Sequence, residues 1–118
     1  MPFKTKRIYD PPARGDGLRV LVDRLWPRGV SREAAQVDLW LKECSPSTAL
    51  RKKFHGHPEK WEHFKAAYFH ELEAEPCALD ALFEPAQKGT VTLLYASKDT
   101  EHNNAEALRE YLQSHTHV

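Results

Sequence analysis

Residues 18–22 have the sequence Leu18-Arg19-Val20-Leu21-Val22, an apolar run that only the arginine interrupts. The run is short and rich in β-branched residues, so it predicts a strand that is buried on both faces of a sheet. Residues 90–96, with the sequence TVTLLYA, form the clearest strand pattern in the chain. Residues 4–9 are also rich in strand formers, and a turn-rich loop follows them over residues 10–17.

Helical patterns occupy the middle and the end of the chain. Ser45 followed by Pro46 predicts the start of a helix that runs through residue 54. The apolar residues of the next helix fall on one face, and we expect that helix to end at Pro76. They are Trp61, Phe64, Tyr68 and Leu72. Asn103 and Glu106 have the spacing of a capping box for a last helix.

Strands that alternate with helices predict an α/β fold. Residues 37–41 alternate between apolar and polar types, which suits a short strand, although a helix fits nearly as well. We therefore expect one small, three-layer-like domain over residues 1–118, in which helices flank a mostly parallel sheet of about three to four strands.

Composition excludes several classes of protein. The 17 basic residues balance the 17 acidic ones, and this neutrality argues against non-specific nucleic-acid binding. No apolar stretch approaches the roughly 20 residues of a membrane span, and the opening MPFKTKR lacks the core of a signal peptide. We expect a cytoplasmic protein whose two cysteines are small buried hydrophobes rather than a disulfide framework. The oligomeric state stays open.

Ligands of open α/β sheets bind beyond the carboxyl ends of the strands. Residues 23–29 (DRLWPRG) and 97–99 (SKD) follow the two strongest strand patterns directly, and both segments are polar and charged. The sequence therefore predicts a functional site at this edge of the sheet.

Residues of the DRLWPRG segment offer the groups that an anion site needs. Arg24 and Arg28 carry planar forks that suit phosphate or carboxylate, and Trp26 could stack on a flat group. Asp23 could orient an arginine, bind a ribose hydroxyl or act as a general base. The alternative is an internal Asp–Arg salt bridge that holds the loop, with the tryptophan in the core.

Four further residues are candidates for the same site. Lys98 could add a cation, and Asn103 begins a helix whose free N–H groups can hold an anion; the alternatives are a solvated loop charge and a purely structural cap. Arg51 and His55 lie four residues apart, so they share a helix face and could clamp a phosphate, with His55 in an acid–base role. The alternative for this basic run is a solvated helix face.

No cofactor or metal motif is present. The seven histidines lack metal-ligand spacing, and neither a G-x-S-x-G turn nor a positioned thiol supplies a nucleophile. We predict no metal and no cofactor.

Four sequence blocks resemble the YeaO-like proteins, which belong to the broad family called domain of unknown function 488. The blocks are KRIYD (6–10), DGLRVLVDRLWPRG (16–29), SPSTALRKKFH (45–55) and TLLYASKDTEHNNA (92–105). The resemblance covers nearly the whole chain and implies an α/β fold without naming an activity.

The same resemblance marks a departure at the last strand. In the broader family this strand often resembles LLCAE and a Cys-His-Arg cluster follows it, whereas this chain has Tyr95 at the position of the strand cysteine and His102, Asn103 and Asn104 at the later positions. Thiol or metal chemistry proposed for such relatives is therefore not carried over.

Two hypotheses follow. The first is an enzyme, or a ligand-binding domain descended from one, that handles a small phosphorylated or nucleotide-like anion; the reaction type is undetermined. The second is a non-catalytic module for protein or nucleic-acid interaction or regulation. A concave pocket enclosing Asp23, Arg28 and Lys98 favours the first, whereas a flat face with exposed Trp26 and Trp40 favours the second.

Overall fold

The computed structural model of the protein describes residues 3–74 and 77–115. Four strands form its sheet: β1 (Phe3–Arg7), β2 (Leu18–Leu21), β3 (Leu39–Trp40) and β4 (Val91–Tyr95). Five α-helices surround the sheet: α1 (Arg32–Ala35), α2 (Thr48–Phe54), α3 (Trp61–Ala74), α4 (Phe83–Lys88) and α5 (Asn104–His115). Short 3-10 turns cover Arg14–Asp16, Lys42–Cys44, Pro58–Lys60 and Ala78–Leu82. The predicted stop at Pro76 lies outside the described residues.

The sheet confirms the predicted α/β class. Its strand order is β1-β4-β2-β3, and every neighbouring pair is parallel. β4 lies in the centre, with Leu93 opposite Thr5 on one side and Val20 on the other. Because all four strands run in the same direction, their carboxyl ends meet at one edge, and the segments that follow β2 and β4 lie side by side there.

Alternate side chains of the central strands pack on opposite faces of the sheet. Val20 and Leu93 belong to the larger core, which α2, α3, α4 and α5 cover. Leu21 and Leu94 point to a smaller cluster on the other face, which α1 and the loop after β2 cover. The strands are buried on both faces, as the apolar runs predict.

Arg19 is the one charged residue inside β2, and it is buried because every part of its fork has a partner. Its Nε and Nη2 donate to the carbonyl of Ala35 at 3.1 and 2.8 Å, and its Nη1 donates to Asp16 at 2.5 Å. Asp16 also accepts from Lys6. Burial opposes ionisation of Asp16, but the Ala13 N–H and these two cations hold its pKa below the usual value.

Residues 37–41 form the strand and not the helix, although only Leu39–Trp40 pairs with β2.

The predicted helix start at Ser45 is wrong by two residues. Ser45 is buried and its hydroxyl donates to the carbonyl of Lys42, whereas the Ser47 hydroxyl caps α2 by accepting from Leu50 N–H at 3.1 Å. Glu71 of α3 accepts from the N–H and hydroxyl of Ser47, so a tertiary contact selects the later serine.

Only one half of the predicted capping box forms at α5. The Asn103 side-chain oxygen accepts from Glu106 N–H at 2.9 Å. The Glu106 carboxylate does not return the bond; it accepts from the Thr5 hydroxyl of β1 and from Arg109. The hydrogen bond between Thr5 and Glu106 joins the last helix, α5, to the edge strand β1.

The cysteines contradict the expectation of two separate thiols. Cys44 and Cys77 form a disulfide between segments 33 residues apart, with their Cα atoms 5.6 Å apart. The bond links the turn before α2 to the turn before α4.

Of the helices described, not one has both the length and the apolar character that a membrane crossing requires. The cytoplasmic location stays a prediction.

Candidate functional site

A cleft of about 790 Å³ opens at the carboxyl ends of the strands. The loops after β2 and β4 form one part of its wall, and the end of α2 and the start of α3 form the other. All eight residues predicted from the sequence line this one cleft. They are Asp23, Arg24, Trp26, Arg28, Arg51, His55, Lys98 and Asn103.

Asp23 is held firmly at the bottom of the loop after β2. Its Oδ2 accepts from Ala96 N–H at 2.9 Å, and its Oδ1 accepts from the Asn104 amide at 2.9 Å. Burial raises the pKa of this carboxyl above its ordinary value, although both hydrogen bonds and the nearby Arg51 charge oppose the shift. Asp23 is therefore a positioned carboxyl group with a strengthened hold on its proton.

Trp26 is packed more tightly than a free stacking platform. Its indole N–H donates to the carbonyl of Val30 at 2.6 Å, and its ring meets Trp40 edge-on at 5.6 Å. The Arg32 guanidinium lies 4.5 Å from the ring centre. Trp40 in turn donates its indole N–H to the carbonyl of Asp23 at 2.8 Å. The two half-buried rings thus brace the loop, while Trp26 still contributes to the cleft wall.

Four cations line the cleft: Arg24, Arg28, Arg51 and Lys98. Within residues 3–74 and 77–115, not one of them forms an ion pair. The Asp–Arg salt bridge that was the alternative interpretation of the DRLWPRG loop is therefore not formed among these residues. Arg24 differs most from the paired Arg19 because its buried Nε has no hydrogen-bond partner in the part of the chain that the structure describes.

The two carboxylates in the cleft wall, Asp23 and Asp99, already accept hydrogen bonds from other groups of the chain. Asp23 has the partners described above, and Asp99 accepts from the N–H groups of His102 and Glu101 at 2.8 and 3.0 Å. The His102 N–H bond is the main reason why the pKa of Asp99 is lowered. With four cations against two carboxylates, the cleft is positive in a chain whose formal net charge is zero.

The neighbouring residues Asn103 and Asn104 have different tasks. Asn103 is buried, and both ends of its amide are used, because its NH₂ donates to the Asp99 carbonyl at 2.9 Å while its oxygen caps α5. Its role is thus to hold the loop after β4. Asn104 reaches across to β2 and donates to Asp23 and to the carbonyl of Val22 at 2.7 Å.

Arg51 and His55 lie on the α2 side of the cleft. Arg51 is in the last turn of the helix, and His55 follows the helix as its C-terminal cap. Both residues are exposed, as is Arg28 on the opposite loop. The backbone carbonyl of Arg28 accepts from the Tyr9 hydroxyl at 3.0 Å. This contact positions the loop through the backbone and does not involve the Arg28 guanidinium.

The sequence did not point to every residue that lines the cleft. The apolar pattern places Trp61 and Phe64 on one helix face, and the first turn of that face extends to the cleft wall. The family resemblance marks His102 and Asn104 only as departures from its pattern. The two-asparagine sequence at the start of α5 was the available signal for Asn104, because the first asparagine caps the helix and the second is free to reach a neighbour.

The hydroxyl groups of the cleft do not form a nucleophile–base pair with any described residue. The Ser45 and Tyr9 hydroxyls donate to backbone carbonyls, and Ser97 Oγ accepts from Asp99 N–H. In the same part of the chain, no three histidine, cysteine, aspartate or glutamate residues lie together so that they could hold a metal. What the arrangement can do chemically is bind an anion and orient hydroxyl groups.

Fold and cleft together define a small parallel α/β protein with a positive cleft at its strand ends. The chain belongs to the DUF488 family: the family model DUF488-N3i, described as "Inactive DUF488-N3 subclade", matches residues 2–118. It is similar to the uncharacterized protein YeaO of Escherichia coli K12, at 43% identity over 97% of this chain and 99% of that protein. The uncharacterized proteins Rv3073c of Mycobacterium tuberculosis H37Rv and Mb3100c of Mycobacterium bovis are 33% identical over 92% of each chain. No solved structure matches.

Proposed function

We propose that the protein is a ligand-binding domain that holds a small phosphorylated or nucleotide-like anion in the strand-end cleft. The observation that carries the proposal is the set of four cations that line one cleft without an ion pair among the described residues. An anion in the cleft would be attracted by all four charges.

Arg24 gives the anion a charged group in the loop after β2. Its Nε is closed to solvent, so a ligand in the cleft cannot contact that atom, although other parts of the residue line the cleft. A phosphate oxygen would take a charge-assisted hydrogen bond from the terminal guanidinium nitrogens of Arg24. Arg28 and Lys98, which are exposed on the two strand-end loops, would then close on the remaining oxygens.

We propose binding without a reaction. The family description names an inactive subclade, and the hydroxyl groups in the cleft have no base beside them among the described residues. In this proposal Asp23 and His55, the two predicted catalytic residues, bind ligand instead. Asp23 would accept from a hydroxyl group of the ligand, and His55 would assist Arg51 at the α2 side.

A second candidate function rests on the apolar rim of the same cleft. Leu25 is 70% exposed and Tyr9 is 45% exposed, and these are the large apolar side chains most open to solvent in the described chain. A protein partner could cover them, as the interaction hypothesis requires. Two side chains make a small patch, so we rank this function below anion binding.

Isothermal titration of wild-type protein with inorganic pyrophosphate and with ribose 5-phosphate tests the proposal. We expect at least one of them to bind, and Arg28→Ala to weaken that binding about tenfold, a loss typical of a charge-assisted hydrogen bond. The melting temperature without ligand should stay unchanged because the Arg28 side chain makes no described contact.

Arg14→Ala is the matched control, since Arg14 is exposed, lies outside the cleft and removes the same charge. It should bind both probes as the wild type does. Equal losses in the two variants would mean that net charge alone attracts the probes. No heat with either probe, and none with the nucleotide AMP, in wild type would overturn the proposal and favour the interaction module.

A further inference from the structure

The wall of the cleft opposite the strand-end loops is aromatic. Phe54, Trp61 and Phe64 line it. The Trp61 and Phe64 rings stack at 5.6 Å with planes only 17° apart, and Phe54 meets Phe64 edge-on at 5.8 Å. Phe64 also contacts Tyr68 of the main core at 5.9 Å. Trp61 is therefore backed by a rigid chain of rings, although it is only partly buried itself.

His102 completes this wall from the loop before α5. Its ring meets Trp61 edge-on at 5.3 Å, and its Nδ1 lies 3.2 Å from Asp99 Oδ2. Two contacts thus fix the orientation of the imidazole. Its Nε2 has no partner among the described residues, and the residue lines the cleft. A fixed polar nitrogen beside an aromatic ring is a group that can recognise the edge of a heterocycle.

The cleft is much larger than a phosphate ion alone would fill. Its volume of about 790 Å³ falls in the range of pockets that hold drug-sized ligands. A phosphate group is only a few times larger than a water molecule, which takes up about 30 Å³ of liquid. The cations alone would therefore leave the aromatic wall without contact to the ligand.

We propose that the ligand is a mononucleotide-class phosphate ester, with its phosphate on Arg24, Arg28 and Lys98 and its base against Trp61 and His102. This inference rests on the proposed function and adds the chemical class of the ligand. Trp61 offers the stacking surface, since base–aromatic stacking tolerates every base. Phe64 stacks on the Trp61 ring and the Lys65 ammonium lies 5.6 Å from its centre, so the base would meet the part of the ring that lines the cleft.

Calorimetric titration of wild-type protein with AMP, ribose 5-phosphate and adenosine separates the two parts of the ligand. We expect AMP to bind at least about tenfold more tightly than ribose 5-phosphate, which shares its phosphate and sugar but lacks the base. Adenosine, which lacks the phosphate, should also bind more weakly than AMP. This comparison needs no variant and is therefore independent of any folding defect.

Trp61→Ala then assigns the base to its surface. The variant should lose about tenfold in AMP affinity and keep its affinity for ribose 5-phosphate, while Trp61→Phe should fall between it and wild type. Phe69→Ala is the matched control, because Phe69 lies on the same helix, contacts Tyr68 and Tyr111, and does not line the cleft. It should lower stability without changing the preference for AMP.

The outcomes separate the two proposals. Equal affinities for AMP and ribose 5-phosphate overturn the mononucleotide inference and leave the anion proposal standing. Loss of AMP and ribose 5-phosphate binding to the same extent in Trp61→Ala overturns the assignment of the base to Trp61. Failure of pyrophosphate, ribose 5-phosphate and AMP alike overturns the proposed function together with this inference.

Discussion

Asn104 and Asp23 lie 81 residues apart in the chain, and the amide of the first donates to the carboxylate of the second at 2.9 Å. The same amide donates to the Val22 carbonyl at 2.7 Å, and Ala96 N–H holds the other oxygen of Asp23. The Asp23 side chain, in the loop after β2, therefore links the ends of the two central strands and the first residue of α5. The edge of the cleft is built on this link.

The Asn104 bond predicts a change in the titration of Asp23. Burial already raises the pKa of Asp23 above 3.8, and a hydrogen bond to the ionised form opposes that shift. Asn104→Ala should therefore raise the pKa further, which carboxyl ¹³C NMR measures directly. Asp99, whose pKa is lowered mainly by His102 N–H, serves as the internal control and should titrate below 3.8 in both proteins.

The sign of the stability effect follows from the same shift. The folded chain binds the Asp23 proton more tightly than the unfolded chain does, so this group contributes most to stability at acidic pH. Its contribution falls as the pH rises from 3.8 through the folded-state pKa, and it stays low at neutral pH. A wild-type Asp23 that titrates below 3.8 would contradict this account.

Tyr68→Phe should reduce the free energy of unfolding by about 1 to 3 kcal/mol. The Tyr68 hydroxyl is fully buried and donates to the carbonyl of Cys44, so the variant removes the donor and leaves a polar group in the core. Urea unfolding measures the loss.

Tyr9→Phe is the control for this prediction, because the Tyr9 hydroxyl also donates to a carbonyl but is exposed to water. Its cost should stay within about 0.5 kcal/mol. Similar costs for the two variants would show that the buried bond to Cys44 does not stabilise the core.

The Cys44–Cys77 disulfide predicts that a reductant lowers the melting temperature. Closing a loop between residues 33 apart restricts the unfolded chain, which stabilises the fold by about 3 to 4 kcal/mol in the chain-entropy account. The double variant Cys44→Ser/Cys77→Ser should melt at the lower temperature with or without reductant.

The presence of the disulfide in the cell also bears on the predicted cytoplasmic location, because disulfides are rare in that compartment. Mass spectrometry of protein alkylated at the moment of cell lysis reports whether the bond exists in the cell. An unchanged melting temperature with reductant would show that the disulfide contributes nothing to stability.

Salt should weaken the binding of AMP or pyrophosphate several-fold between about 0.05 M and about 0.5 M NaCl, because ions screen the exposed Arg28, Arg51 and Lys98. Arg28→Gln should show a shallower dependence, since one of the attracting charges is gone. Affinity that does not change with salt would mean that the cations do not contact the ligand.

Much of the fold was predictable because its signals are local. Runs such as LRVLV and TLLYA are apolar and short, so they predicted the buried strands of a parallel sheet with helices between them. The place of the cleft followed by the same reasoning, since parallel strands bring their carboxyl ends to one edge. The helix start at Ser45 failed because Glu71, which belongs to another helix, selects Ser47 as the cap.

The sequence by itself determined the class of fold, the edge where a cleft forms and eight of the residues that line it, because each depends on neighbours in the chain or on strand direction. Only the tertiary structure decided that Cys44 meets Cys77, that Asn104 holds Asp23 and that Trp61 and His102 share a wall. The physical reason is distance along the chain: such contacts depend on how packed elements are placed in space, and no local pattern records that placement.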